Sequence, residues 1–121
     1  MYRCFVGTDC LFNKATAMKW YISGKITGLP QDQVVAKFTQ AAEQVISYGH
    51  KPVNPLDNGL PFDESWNKHI VADIALLVEC DAIYLLSDWK NSKGARIEEK
   101  IAQECGLEIV MQPVFAAYKK N

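Results

Sequence analysis

A chain of 121 residues has room for one globular domain and not for two. Hydrophobic residues make up 49% of it and charged residues 22%, which excludes a disordered chain, a collagen-like repeat and a coiled coil. The formal net charge is −1, so no basic field exists to hold a polyanion. We expect no polymeric nucleic acid partner, although a small anionic ligand needs only a local site.

The cysteines and histidines do not form a metal-binding pattern. The four cysteines lack C-x-x-C spacing and the chain has two histidines, so we expect no metal site. Residues 1–19 lack the continuous apolar core of a secretory signal, and no run approaches the roughly 20 apolar residues that cross a bilayer. We therefore expect a cytoplasmic protein with reduced thiols and no membrane partner.

The hydropathy pattern predicts a single domain with short flanking segments. Residues 1–17 mix charged and apolar side chains without a clear period, whereas Met18 directly precedes the first strand-like run. We expect a poorly ordered extension over residues 1–17, a domain over residues 18–113 and a polar tail over residues 114–121.

The first predicted unit is a strand followed by a helix. Residues 19–23 form an aromatic and β-branched run typical of a strand buried on both faces, and a glycine-marked loop follows over residues 24–28. Pro30 suits the first turn of a helix that ends at Gly49. One apolar stripe lies along this helix, at Val34, Phe38, Ala41, Ala42 and Val45.

A short edge strand is predicted next, because Pro52 cannot donate a hydrogen bond to a neighbouring strand. Turn chemistry predicts a loop over residues 55–61, and a second helix begins near Asp63 or Ser65. Residues 81–86 are the clearest strand in the chain. The second helix is predicted to turn an apolar set toward the core, namely Trp66, Ile70, Val71, Ile74 and Leu77.

A polar loop over residues 87–93, a helix over residues 92–104 and a strand over residues 107–111 complete the pattern. Strands that alternate with helices imply an α/β fold in which helices cover a parallel sheet of four to five strands. Ligands bind such sheets beyond the carboxyl ends of the strands, where strand order reverses. The loops over residues 23–28 and 87–93 are the candidates.

Glu98 breaks the pattern of the third helix. At 3.6 residues per turn it falls among apolar and small side chains on the sheet-facing side, which are Gly94, Ala95, Ile101, Ala102 and Cys105. Burying an ionised carboxylate without partners is costly, so Glu98 must reach a partner, a cavity or solvent. A slightly rotated helix with Glu98 paired to a lysine at the boundary is the alternative.

Asp73 lies beside the apolar stripe of the second helix, and a surface pair with His69 is the simpler explanation. Two carboxylates on facing helices also suit a nucleophile and a general acid at the anomeric carbon of a sugar. Tyr21 lies in the first strand, and its buried hydroxyl would need a partner that a carboxylate can supply.

Other side chains are candidates for contacts to a ligand. Ser92 is first a helix N-cap, and its hydroxyl can also contact a phosphate held by the N–H groups that follow. Lys25 and Arg96 either add positive charge there or are simply solvated. Trp66 and Trp89 either stack on a base or pack.

Four segments in this order are similar to those of a known family: residues 21–28 (YISGKITG), Asp73, residues 81–83 (DAI), and residues 92–98 (SKGARIE) with Ala102. Together they resemble the nucleoside 2-deoxyribosyltransferase superfamily, which includes the 2'-deoxynucleoside 5'-phosphate N-hydrolases. The likeness is to a small branch found in bacteria and their phages. It covers residues 18–111.

The resemblance implies a flavodoxin-like or Rossmann-like three-layer α/β sandwich and an N-glycosidic activity. Glu98 would attack C1' of a 2-deoxyribosyl group, Tyr21 would orient Glu98, and Asp73 would handle the nucleobase or its proton. The ligand would be a nucleoside or nucleotide, with no metal or organic cofactor. The resemblance also implies a homodimer or higher homo-oligomer.

Ser92 at a helix N-terminus favours a 5'-monophosphate substrate and hydrolysis, because the phosphate-dependent members carry serine there. Arg96 departs from the family, which often has glycine at this position. A nucleotide-binding or sensor module without turnover, and a glycohydrolase for ribosyl or NAD-type compounds, are the alternatives. The residues expected to bind substrate are Ser23, Gly24, Lys25, Ile26, Thr27, Asp88, Trp89, Ser92, Gly94 and Arg96.

Overall fold

The computed structural model describes residues 17–113 of the chain. The tail predicted over residues 114–121, and all of the predicted extension except Ala17, lie outside the described residues. Strands and helices alternate along the rest, as β1 (Lys19–Ser23), α1 (Gln31–Ser47), β2 (Lys51–Val53), α2 (Trp66–Leu77), β3 (Ala82–Leu85), α3 (Lys93–Glu104) and β4 (Glu108–Met111). Single turns of 3-10 helix follow β2 at Pro55–Asp57 and β3 at Trp89–Asn91.

The four strands form one parallel sheet in the order β2-β1-β3-β4. This is a flavodoxin-like or Rossmann-like α/β arrangement, and it confirms the fold predicted from the sequence. Pro52 lies in the edge strand β2, where its missing N–H costs no ladder bond. From β1 the chain moves outward to β2, then crosses back to β3 and β4, so strand order reverses between β1 and β3. Their carboxyl ends form the switch point where ligands bind in such sheets.

The sheet separates two apolar layers because successive strand side chains point to opposite faces. On one face Trp20, Ile22 and Tyr84 pack against Val34 and Phe38 of α1. On the other, β-strand residues pack beneath α2 and α3; these are Tyr21, Ile83 and Leu85, with Leu77 of α2 and Ala102 of α3. Each fully buried large side chain stabilises this three-layer sandwich by roughly 1.5–3 kcal/mol.

The helix ends follow the sequence signals. Ser65 precedes α2 and Ser92 precedes α3, and each hydroxyl accepts a hydrogen bond from the backbone N–H three residues later. Pro30 lies just before α1 rather than within its first turn. No helix within residues 17–113 is both long enough and apolar enough to span a bilayer.

Two residues predicted to face the core lie on the surface. The buried side of α2 is centred on Asp73 and Leu77, and Val71 points away from it at 68% exposure because two residues correspond to a rotation of about 200°. Cys105 is also exposed, because α3 ends at Glu104 and the helical period no longer applies to the next residue.

The two loops at the switch point are fastened to each other. Lys37 of α1 donates to Oδ2 of Asp88 at 2.6 Å and to the backbone oxygen of Lys25 at 2.7 Å. The backbone N–H of Lys25 donates to Oδ1 of Asp88 at 3.1 Å. A Cβ atom on Gly24 would lie 2.7 Å from Cδ1 of Leu86, so only glycine allows this close approach. The loop after β1 therefore rests directly on the loop after β3.

Candidate functional site

Glu98 lies on the inner side of α3, between Ala95 and Ala102, and is 5% exposed. The Tyr21 hydroxyl donates to its Oε2 at 3.0 Å, and the Ser23 hydroxyl donates to its Oε1 at 2.6 Å. Tyr21 and Ser23 are two residues apart on β1, so strand alternation puts both hydroxyls on the face that α3 covers. Each carboxylate oxygen thus has its own hydroxyl donor.

The surroundings of Glu98 favour its protonated form. The pKa of Glu98 is raised to about 8, chiefly by burial. The hydrogen bond from Ser23 opposes this rise, the nearby Asp73 adds to it, and the hydrogen bond from Tyr21 again opposes it. Burial also raises the pKa of Tyr21 well above its ordinary value, and the neighbouring Glu98 adds to this. Tyr21 therefore remains a neutral hydroxyl donor at physiological pH.

Asp73 is the second buried carboxyl group of the site, at 7% exposure on α2. Its Oδ1 accepts a hydrogen bond from Nδ2 of Asn58 at 2.8 Å. Burial raises the pKa of Asp73 to about 6, while the Asn58 hydrogen bond and the proximity of His69 hold it down. The two carboxyl groups interact electrostatically, since Asp73 contributes to the raised pKa of Glu98.

Both carboxyl groups line one cleft of about 730 Å³ at the switch point. The cleft extends from Tyr21, Glu98 and Asp73 to the first turn of α3, where Ser92, Gly94 and Ala95 line it. Apolar and aromatic side chains form much of the remaining wall, among them Ile26, Leu29, Val35, Leu60, Phe62 and Trp66. The space is that of a small-molecule site. Within residues 17–113, no three His, Cys, Asp or Glu side chains come together as metal ligands.

The predicted binding residues divide into two groups. Gly24, Ile26, Thr27, Ser92 and Gly94 line the cleft, together with the proposed catalytic set of Tyr21, Asp73 and Glu98. The others have contacts elsewhere: Ser23 with Glu98, Lys25 and Asp88 with Lys37, Trp89 with the apolar layer beneath α2 and α3, and exposed Arg96 with the backbone oxygen of Lys90.

Sequence reasoning missed the two polar side chains that hold Asp73 in the cleft, Asn58 and His69. Turn chemistry alone predicts a loop at Asn58, yet its side-chain amide donates to Asp73. The sequence predicts His69 as a direct surface partner of Asp73, whereas its Nδ1 lies 3.0 Å from Nδ2 of Asn58. The Asn-Gly pair at residues 58–59 is a turn signal, and no spacing in the chain links it to Asp73.

A protein-family model described as "Domain of unknown function (DUF4406)" matches residues 18–111. This match spans most of the chain, so the chain belongs to that family. A search of curated proteins gave no match.

The buried carboxyl group predicts a characteristic pH dependence of stability. The folded chain holds the Glu98 proton up to about pH 8, whereas the unfolded chain releases it near the ordinary glutamate pKa. Unfolding therefore releases a proton between these values, and stability falls as the pH rises through that window. We expect Glu98→Gln to abolish this loss of stability at high pH. At about pH 9 the variant should be more stable than the wild type by on the order of a few kcal/mol, whereas at about pH 5 it should not be more stable.

Urea unfolding at the two pH values measures the difference. Glu99→Gln is the matched control, because Glu99 is the next residue and, within residues 17–113, its Oε2 accepts a hydrogen bond from Gln103 alone. Glu99→Gln should follow the wild type at both pH values. A Glu98→Gln variant that did the same would show that Glu98 is not buried as described.

Proposed function

We propose that this DUF4406 domain cleaves the N-glycosidic bond of 2'-deoxynucleosides or their 5'-monophosphates through a covalent intermediate on Glu98. The observation that carries the proposal is that Glu98, bonded by Tyr21 and Ser23, lines the same cleft as Asp73. The resemblance to the nucleoside 2-deoxyribosyltransferase superfamily supplies the chemistry, since its nucleophile, orienting tyrosine and base-contacting aspartate correspond to Glu98, Tyr21 and Asp73.

In the first step, an oxygen of Glu98 attacks C1' and the C1'–N bond breaks. The electron pair of that bond goes to the nucleobase, which takes the proton of Asp73. Water then attacks C1' of the resulting ester, gives a proton to the Asp73 carboxylate and releases the Glu98 carboxylate. The products are the free base and 2-deoxyribose or its 5-phosphate, as in a retaining glycosidase. A second base in place of water would give transfer.

The pKa values of Asp73 and Glu98 support catalysis by a pair of carboxyl groups that together carry one proton. Below about pH 6 both carboxyl groups are protonated, and above about pH 8 both are ionised. Between these values the pair holds one proton. The proton is on Glu98 in the resting form and on Asp73 in the reactive form, in which Glu98 is ionised. Positive charge developing at C1' favours an ionised Glu98, so it draws the proton toward Asp73.

The first turn of α3 favours an anionic substituent on the substrate. Ser92, Gly94 and Ala95 line the cleft at the N-terminus of a helix of 12 residues, where unsatisfied N–H groups and the helix dipole favour negative charge. The Ser92 hydroxyl accepts from the N–H of Ala95 and keeps its own proton to donate. A 5'-phosphate at this end would set the sugar beside Glu98, three residues farther along the helix.

We further propose that the domain forms a homodimer through the outer face of α2. Over residues 70–78 the only charged side chain is Asp73, which is buried, while Val71 and Val78 are exposed at 68% and 45%. Exposed Lys68 and Glu79 flank this apolar face at its two ends. In an antiparallel pair of α2 helices, Lys68 would approach Glu79 of the partner subunit, which makes a second copy a suitable occupant.

Incubation with each deoxynucleoside and deoxynucleoside 5'-monophosphate, followed by chromatography of the free base, tests the activity. We expect release of base with a bell-shaped dependence of kcat/KM, whose limbs lie near the two carboxyl pKa values. Glu98→Gln should lower the rate by roughly a thousand-fold or more, because it removes the nucleophile. Asp73→Asn should cost about 100- to 10,000-fold.

Glu99→Gln should keep the wild-type rate. The corresponding ribonucleotides and NAD, supplied in parallel, separate the 2-deoxyribosyl proposal from a ribosyl one. Absence of free base from every deoxy substrate would contradict the proposal, and binding by calorimetry without turnover would indicate a nucleotide-binding module instead.

Sedimentation at micromolar concentration tests the dimer. Val71→Lys places a charge in the apolar face and should weaken association by roughly 10-fold or more. Ile46→Lys is the matched control, because Ile46 is also exposed, at 59%, but lies on α1 across the sheet. A monomeric wild type, or equal dissociation of both variants, would contradict this interface.

A further inference from the structure

Asp73 has two oxygens in different situations. Oδ1 accepts the hydrogen bond from Nδ2 of Asn58 at 2.8 Å. Oδ2 has no hydrogen bond to any group within residues 17–113. It is not fully buried, however, because in this part of the chain the one fully buried side-chain nitrogen or oxygen without a partner is Trp20 Nε1. Asp73 lines the cleft, and of its two oxygens Oδ2 is the one without a hydrogen bond from residues 17–113.

The Asn58 amide is held so that its nitrogen must face α2. Oδ1 of Asn58 accepts from the backbone N–H of Leu60 at 2.9 Å, a turn that Gly59 permits with its φ of +90°. The two hydrogens on Nδ2 are then divided between Asp73, at 2.8 Å, and Nδ1 of His69, at 3.0 Å. The amide is saturated, and its orientation leaves no choice of donor and acceptor.

The tautomer of His69 follows from the two partners of its ring nitrogens. Its Nε2 lies 2.9 Å from the backbone oxygen of Pro61, which can only accept, so Nε2 carries a hydrogen. Its Nδ1 faces the Asn58 amide nitrogen, which can only donate, so Nδ1 carries a lone pair. When the ring is neutral, His69 is therefore the Nε2–H tautomer. A proton on Nδ1 as well would bring two donors, Nδ1–H of His69 and Nδ2–H of Asn58, into opposition and break the contact between them.

We infer that Asn58 and His69 are positioning residues that make Oδ2 the proton-carrying oxygen of Asp73. Oδ1 is occupied by an N–H donor, so a proton there would oppose that hydrogen, and the proton goes to Oδ2 at the cleft. His69 lies one helical turn before Asp73 on α2 and keeps the Asn58 amide in the orientation this requires. We call this arrangement the Asn58–His69 clamp.

Delivery of that proton to a leaving base rests on the proposed function, whereas the clamp itself does not. The other ionisable groups that interact with Asp73 are Tyr21 on β1 and Glu98 on α3, and both are present in every variant used below. Differences in the Asp73 pKa between those variants therefore arise from Asn58 in the loop and His69 on α2.

Titration of Asp73 by NMR, with ¹³C-labelled aspartate and Asp73→Asn for assignment, tests the clamp without any substrate. In the wild type we expect a midpoint near 6. Asn58→Ala removes the donor to the ionised carboxylate and should raise the midpoint by roughly one pH unit. Asn54→Ala is the matched control, because Asn54 makes the same turn with the N–H of Leu56 in the same loop and has no bond to Asp73.

A second pair of variants tests His69. His69→Gln retains a side-chain oxygen that can accept from Asn58, whereas His69→Leu does not. We expect a larger upward displacement of the Asp73 midpoint in His69→Leu than in His69→Gln. Long-range ¹H–¹⁵N spectra of the neutral wild-type imidazole should show a proton on Nε2 and none on Nδ1 of His69.

An Asp73 midpoint that stays constant from wild type to Asn58→Ala, or an Nδ1–H tautomer of His69, would overturn the inference. If Asn58→Ala does not fold, the tautomer of His69 in the wild type tests the inference by itself. A clamp detected in a protein that releases no base would refute the proposed function alone. Turnover with an Asp73 titration indifferent to Asn58 would refute the clamp alone.

Discussion

A carboxyl group held between two hydroxyls under the third helix is the constraint on which the site depends. Glu98 can occupy a position among alanines only because Tyr21 and Ser23 each donate to one of its oxygens. Those donors lower the pKa of Glu98, but burial raises it more, so the group holds its proton in the free protein and one of the two hydroxyls then accepts from it. The polar cluster lies at the reversal of strand order, where β1 and β3 end side by side.

The second helix shows the same inversion of the usual pattern. Its one charged residue in the central turns, Asp73, points into the protein, and valines such as Val71 point outward. Burial of Asp73 is tolerable because Asn58 supplies a donor across the loop, and His69 holds that donor in place. Each of the two helices thus carries a buried carboxyl group to the same cleft.

Much of the fold follows from local patterns in the sequence. The strand and helix order, the two serine caps and the inward side of Glu98 all come from spacing and turn chemistry, which are local. The contact of Asn58 with Asp73 joins a loop to a helix, and the surface position of Val71 depends on which side of α2 meets the sheet. Such facts depend on tertiary packing, and a single sequence carries no direct signal for them.

The ionisation of Glu98 is the most direct test of this account. Incorporation of ¹³C-labelled glutamate and a pH titration by NMR would follow every glutamate carboxyl group at once. We expect one carboxyl resonance that titrates near 8, far above the others, and that is missing from Glu98→Gln. A titration in which all glutamates ionise near their ordinary pKa of about 4.3 would contradict it, because Glu98 would then be solvated rather than held between Tyr21 and Ser23.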